Sequence, residues 1–99
     1  MIELNSTNFS KEVLEYKGKV IIDVWANWCG KCKMFKPAFI EKAAINPDYK
    51  FCTMDADANQ DMCTQLNVSN LPAILIYQDG ILMAQGGIEL LDTLLQENL

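Results

Sequence analysis

Short apolar runs alternate along the chain with segments whose apolar residues recur every three or four positions, a pattern that predicts strands separated by helices. Ile2 to Leu4 suits a short first strand. Ser6 and Thr7 then offer helix caps ahead of an amphipathic stretch with Phe9, Val13 and Leu14 apolar, and Lys17-Gly18-Lys19 closes it. Val20 to Ala26 follows as a buried strand interrupted by one charge, Asp23. The next helix is expected from Cys29 to about Ile45. Pro37 lies inside it, where its ring and missing N–H disturb the bond to the Lys33 carbonyl and bend the axis, setting off the first turn.

Asn46-Pro47-Asp48 has the residue types of a turn, and a third strand is expected from about Tyr49 to Met54. Asn59 to Leu66 reads as a short helix with Met62, Cys63 and Leu66 on one face. A fourth strand, Ala73 to Tyr77, follows Pro72. Asp79-Gly80 tolerates the positive φ angles of a tight hairpin, so Ile81 to Gln85 is expected to return antiparallel. Gly86-Gly87 breaks that strand, and Ile88 to Leu99 closes the chain as a helix. The order is βαβαβαββα. Strands joined through helices tend to lie parallel and the terminal hairpin adds antiparallel pairing, which predicts an α/β fold, a central mixed sheet with helices on both faces.

With 99 residues, 51% of them apolar, the chain forms one domain over 1–99 that buries a core without disulfide staples. No apolar run approaches the length of a bilayer crossing, and the first nine residues lack the basic and apolar regions of a leader, so a soluble, cytoplasmic protein is expected. Residues 1–50 hold all eight lysines against six acids, a balance of +2, whereas residues 51–99 hold seven acids and no basic residue. That distribution, without a single arginine, argues against a nucleic-acid surface. Histidine is absent too, so proton transfer near neutral pH falls to cysteine, lysine, a perturbed carboxylate or water.

The candidate chemistry lies in Trp28-Cys29-Gly30-Lys31-Cys32, a Cys-x-x-Cys where a strand gives way to a helix. The unpaired N–H groups and partial positive charge of a helix N-terminus favour a thiolate at Cys29, and Lys31 adds a nearby cation. Three-residue spacing puts Cys32 on the same helical face. Cys52, in an apolar strand, and Cys63, on an apolar helical face, read as small buried hydrophobes. Trp25 and Trp28 read as packing aromatics, with Trp28 also shaping a docking surface beside Cys29. Lys31, Lys33 and Lys36 are otherwise compatible with a solvated face.

Asp23-x-Trp25-Ala26-x-Trp28-Cys29-Gly30-x-Cys32-Lys33, then Pro37, Leu71-Pro72 before an apolar strand, and Asp79-Gly80, resembles the thioredoxin family along nearly the whole chain. The resemblance implies a thioredoxin fold and disulfide reduction, with Cys29 as exposed nucleophile and Cys32 as buried resolving thiol. It places Asp23 beneath Cys32 as that thiol's proton acceptor, and makes Pro72 a cis-proline that helps hold an extended substrate. Trp28, Gly30, Lys31, Leu71 and Pro72 become the substrate-binding set. The implied partners are disulfide-containing proteins and a thioredoxin-reductase-like electron donor; the implied working unit is a monomer without bound cofactor or metal. Lys31 stands where the family most often has proline. Thr53 stands where many members have a lysine near the buried acid, and the Gly86-Gly87 segment is shorter than usual. Three other classes give different expectations: a zinc module, which needs two close ligand pairs although Cys52 and Cys63 are far apart in sequence; a scaffold of the same fold without turnover; and a glutathione-using glutaredoxin, whose usual motif this is not.

Lys31 gives a test of the turn between the cysteines. A more flexible turn and a nearby cation favour the dithiol over the disulfide, so the wild-type potential is expected to be less negative than that of Lys31→Pro. Equilibration of both against glutathione measures the difference, with roughly 30 mV equal to 1.4 kcal/mol for a two-electron couple. A more negative wild-type potential contradicts it.

Overall fold

The computed structural model describes residues 1–97, and its centre is a strand buried on both sides. This is β2 (Lys19–Trp25), which follows β1 (Ile2–Leu4). Helix α1 (Gly30–Ile45), β3 (Lys50–Asp55), α2 (Gln60–Gln65), β4 (Ala73–Gln78), β5 (Ile81–Gly86) and α3 (Glu89–Glu97) complete the chain. The last helix was expected to reach Leu99; residues 98 and 99 lie outside the described residues. The strands form one mixed sheet in the order β1-β3-β2-β4-β5, the thioredoxin-type α/β arrangement expected.

Successive side chains of a strand point to opposite faces, so β2 feeds two cores. Val20, Ile22 and Val24 enter one with Phe9, Val13, Cys52, Cys63, Leu75 and Tyr77. Ile21 enters the other with Phe39 of α1, Phe51, Ile74, Ile76, and Leu91 and Leu94 of α3. Helices therefore cover both faces. Asp23 and Trp25 share the face of Ile21, which is how an acid comes to lie under α1.

β3 runs parallel to both β1 and β2, but β4 runs antiparallel to β2 although a helix joins it to β3. The connection through α2 leaves from and returns to the same end of the sheet. β4 consequently starts beside the end of β2, with Val24 opposite Ala73. That brings Leu71 and Pro72 to the Cys-x-x-Cys end of the sheet.

The first helical segment differs from expectation. Ser10–Leu14 winds as a short π-helix, with the Glu15 N–H donating to the Ser10 carbonyl at 2.9 Å. Its entrance is organised by Asn5 rather than Ser6 or Thr7: the Asn5 side chain accepts the Thr7 and Asn8 N–H groups, and the Asn8 side chain accepts the Asn5 N–H. Phe9 and Val13 are buried, one α-turn apart, while Leu14 falls off that stripe into solvent. Lys50 pins the segment to β3. Its Nζ lies 2.6 Å from Glu12 Oε1, donates to the Glu12 carbonyl, and sits over the Tyr16 ring.

The β4–β5 turn has φ of 51° at Asp79 and 82° at Gly80, as the Asp-Gly pair predicts. It is tied to the loop before β2: the Asp79 carboxylate accepts the Gly18 N–H at 2.7 Å and the Gly18 carbonyl accepts the Asp79 N–H at 2.9 Å. A Cβ at Gly80 would run into the Leu14 backbone carbonyl. Gly80→Ala is therefore expected to lose roughly 1–3 kcal/mol in a denaturant melt. Gly30, where a Cβ meets nothing, is the control: Gly30→Ala should stay within about 0.5 kcal/mol.

Candidate functional site

Where β2 ends, the Cys29 N–H donates to the Ala26 carbonyl and the Ala56 N–H to the Trp25 carbonyl, fixing the exit from the sheet. Cys29 is the N-cap of α1, extended at φ −89° and ψ 106°. Its Sγ accepts the Cys32 backbone N–H at 3.1 Å. A sulfur thus takes the place that a Ser or Asp oxygen fills at an ordinary helix start, using an N–H that would otherwise lack a partner. No acid occupies the first turn, and exposed Lys31 and Lys33 flank Cys32. The helix N-terminus and the two lysines favour a thiolate at Cys29 when the disulfide is reduced.

Cys29 and Cys32 form a disulfide with their Cα atoms 5.3 Å apart, inside the usual range. Cys29 keeps 6% of its surface and Cys32 3%, so the expected exposed nucleophile is only the more open of two covered sulfurs. Both pack with Ala26, Trp25 and Leu71. The Leu71–Pro72 peptide is cis. Leu71, Pro72 and Lys31 line a groove of about 640 Å³ beside the disulfide, together with Met34, Phe35, Gly87 and Ile88. Trp28 is 70% exposed rather than packed, but its Nε1 donates to the Asp57 carboxylate at 3.2 Å, which holds the ring as a rim. Gly30 faces open space. Gly86 pairs with Ile74 at the end of β5, which leaves Gly87 and Ile88 to form the far wall of the groove.

Behind the disulfide, a cavity of about 860 Å³ runs between α1 and the β1–β3 side of the sheet, with Asp23, Cys32, Lys36 and Thr53 in its lining. Asp23 is 3% exposed, and its Oδ1 has no hydrogen-bond partner among the described residues. Burial raises its pKa from 3.8 to about 6, partly opposed by the positive charge of Lys36. Thr53 is its register partner on β3, so the adjacent strand offers a hydroxyl rather than a cation.

The other two cysteines belong elsewhere. Cys52 and Cys63 are unbonded and buried in the core on the opposite face of the sheet. Burial pushes the Cys52 thiol up to about 11 and raises that of Cys63, so neither is a useful nucleophile near neutral pH. Among the described residues no group of three or more His, Cys, Asp or Glu side chains is placed to hold a metal ion.

Sequence reasoning passed over Asp57, Met34 and Ile88, and treated Lys36 as solvated surface. Only Lys36 carried a signal: it lies four residues beyond Cys32, on the same helical face. Asp57 reaches Trp28 through the Trp25–Asp55 pairing of β2 with β3, which no local pattern reveals.

A disulfide capping a helix at the end of a central strand, with a cis X–Pro peptide brought to the same end of the sheet, is the arrangement of the thioredoxin-fold class. The thioredoxin family model matches residues 1–96. Thioredoxin C-3 of Corynebacterium nephridii is 40% identical over 75 residues, 76% of this chain and 52% of that protein. Thioredoxins of Pseudomonas aeruginosa and Mycoplasma genitalium are 34% and 33% identical over 81% and 80% of this chain, and 75% and 78% of theirs. The chain thus spans about half the length of the first relative and about three quarters of the other two. A chain solved in work on the thiol resolving mechanism in yeast mitochondrial 1-Cys peroxiredoxin, via glutathione/thioredoxin systems, superposes with a TM-score of 0.87 at 26% identity, covering 98% of this chain and 94% of that one. The chain belongs to the thioredoxin family.

Asp23 gives a pH test with a definite sign. A carboxyl whose folded pKa lies above its unfolded value costs stability as pH rises from about 4 through about 6, and the full cost stands above that window. At about 1.4 kcal/mol per pH unit the cost is on the order of 3 kcal/mol. Asp23→Asn is expected to unfold at higher denaturant concentration than wild type at pH 7, and the advantage should shrink toward pH 4. A variant no more stable at pH 7 contradicts it.

Proposed function

We propose that this protein reduces disulfides of other proteins through a dithiol–disulfide cycle at Cys29 and Cys32. The observation that carries this reading is the cap: Cys29 Sγ receives a backbone N–H at the start of α1, an arrangement that stabilises the thiolate before any substrate arrives. An extended substrate segment lies across Trp28, Gly30 and Lys31 on one side and Leu71 and Pro72 on the other. The open space at Gly30 leaves room for its backbone.

The Cys29 thiolate attacks one sulfur of the substrate disulfide. That bond breaks, the other substrate sulfur leaves with the electron pair and takes a proton from water, and Cys29 is left in a mixed disulfide. Asp23, mostly ionised at pH 7 with a pKa near 6, accepts the Cys32 proton directly or through water. The Cys32 thiolate then attacks Cys29 Sγ, forming the Cys29–Cys32 bond and releasing the second substrate sulfur as a thiolate. Substrate has gained two electrons and the pair has lost them. A thioredoxin-reductase-like donor returns them, so the chain itself carries no cofactor.

Each group in this cycle comes from one chain, which supports a monomer as the working unit. No helix among the described residues is long and apolar enough to cross a membrane. Two buried cysteines left unbonded suit a reducing compartment such as the cytoplasm.

The division of labour is testable by trapping. Cys29→Ser should bring insulin-disulfide reduction to background and capture nothing, because the first attack is lost. Cys32→Ser should accumulate mixed disulfides that dithiothreitol releases. Equal trapping by both variants assigns the roles wrongly.

A further inference from the structure

The Asp23 carboxylate needs something to keep it ionised at working pH, and β3 does not provide it. Thr53 stands beside Asp23 on that strand and Ile74 on the other. Facing the same cavity are Met1 and Glu3 from the β1 end, Tyr49 from the approach to β3, and Cys32, Lys33 and Lys36 from α1. Glu3 has the wrong sign, and the Met1 amino group is not among the charges that act on Asp23. Between the two lysines, helix geometry decides. Lys36 is four residues from Cys32 and stacks on the same face, above the acid, whereas Lys33 is one residue away and points about a quarter-turn off. Lys36 is an exposed residue that also lines the cavity, a combination long amphipathic side chains allow.

We propose that Lys36 is the positioning cation of the resolving step, supplying from helix α1 the positive charge that Thr53 on the neighbouring strand does not provide. The proposal rests on the reading of Asp23 as proton acceptor for Cys32. Lys36 does not take the proton, because an ammonium is a donor with no lone pair to accept one. It biases Asp23 toward the carboxylate, so that the acid is empty when Cys32 must lose its proton. The Lys36 field acts on Asp23 in this direction, against burial. Water screens an exposed ammonium, so its effect is smaller than that of a buried pair.

The test follows two quantities against pH: Asp23 ionisation, by carboxyl-carbon NMR of the oxidised protein, and single-turnover resolution of a preformed Cys29 mixed disulfide. In Lys36→Met both midpoints should rise together by about half a pH unit, which slows resolution about threefold below the midpoint because the ionised fraction falls by that factor. Lys36→Arg should keep the wild-type midpoints, and Lys33→Met should shift neither. Adding Thr53→Lys to Lys36→Met should bring both back toward wild type, an outcome that a purely structural role for Lys36 does not produce. Unchanged midpoints in Lys36→Met, or an equal shift in Lys33→Met, overturn the proposal. Asp23→Asn separates the underlying reading. If it keeps the wild-type pH profile of resolution, Asp23 is not the acceptor and both ideas fall; if it removes that limb while Lys36→Met leaves it in place, only Lys36 is excluded.

Discussion

The burial of β2 on both faces constrains everything around it. A strand covered on both sides must place its alternate residues in two separate cores, and Val20 to Val24 do so without a gap except at Asp23. The same alternation sends Asp23 toward α1. A three-residue turn separates β2 from Cys29, and the bond from the Cys29 N–H to the Ala26 carbonyl ties that turn back to the strand end, so a rigid apolar strand anchors the helix start that carries the disulfide.

That placement sets stability against chemistry. An apolar residue at position 23 would complete the second core, and the acid instead leaves an oxygen unpartnered beside a cavity. The cost falls in the pH range where the protein is expected to work. In the proposed cycle the gain is an acceptor behind Cys32, in a chain with no histidine to do that work. The cavity belongs to the same compromise: filling it with larger side chains would bury the carboxyl further and raise its pKa again.

Much of this was readable from residue order. The strands and α1 appear within a residue or two of their expected ends and α3 begins within one residue of its expected start, because apolar runs and three-to-four spacing report burial directly. The Asp-Gly hairpin was legible because positive φ is a property of those residue types. The π-helical turn at Ser10–Leu14 was not, since its entrance depends on a reciprocal Asn5–Asn8 bond that competes with the capping offered by Ser6 and Thr7. The direction of β4 is not a local property: whether a strand–helix–strand connection crosses the sheet or returns to the same end depends on tertiary packing that residue order does not display. Trp28, expected to pack, is exposed because Asp57 holds its indole N–H at the rim. The cis peptide before Pro72 came only with the family resemblance; about 5–6% of such bonds are cis, so residue type alone argues the other way.

The four cysteines show how little of thiol reactivity resides in the residue itself. Cys52 and Cys63 lie in an apolar core where desolvation opposes the thiolate, and Cys52 has its pKa pushed to about 11. Cys29 meets a backbone N–H and the positive end of a sixteen-residue helix on the other side of the same sheet. Burial alone does not separate them, because Cys29 is slightly more covered than Cys63. What differs is whether the surroundings answer a negative charge. The thiolate is therefore favoured at one cysteine pair and opposed at the other two, and the sheet between them keeps the environments apart.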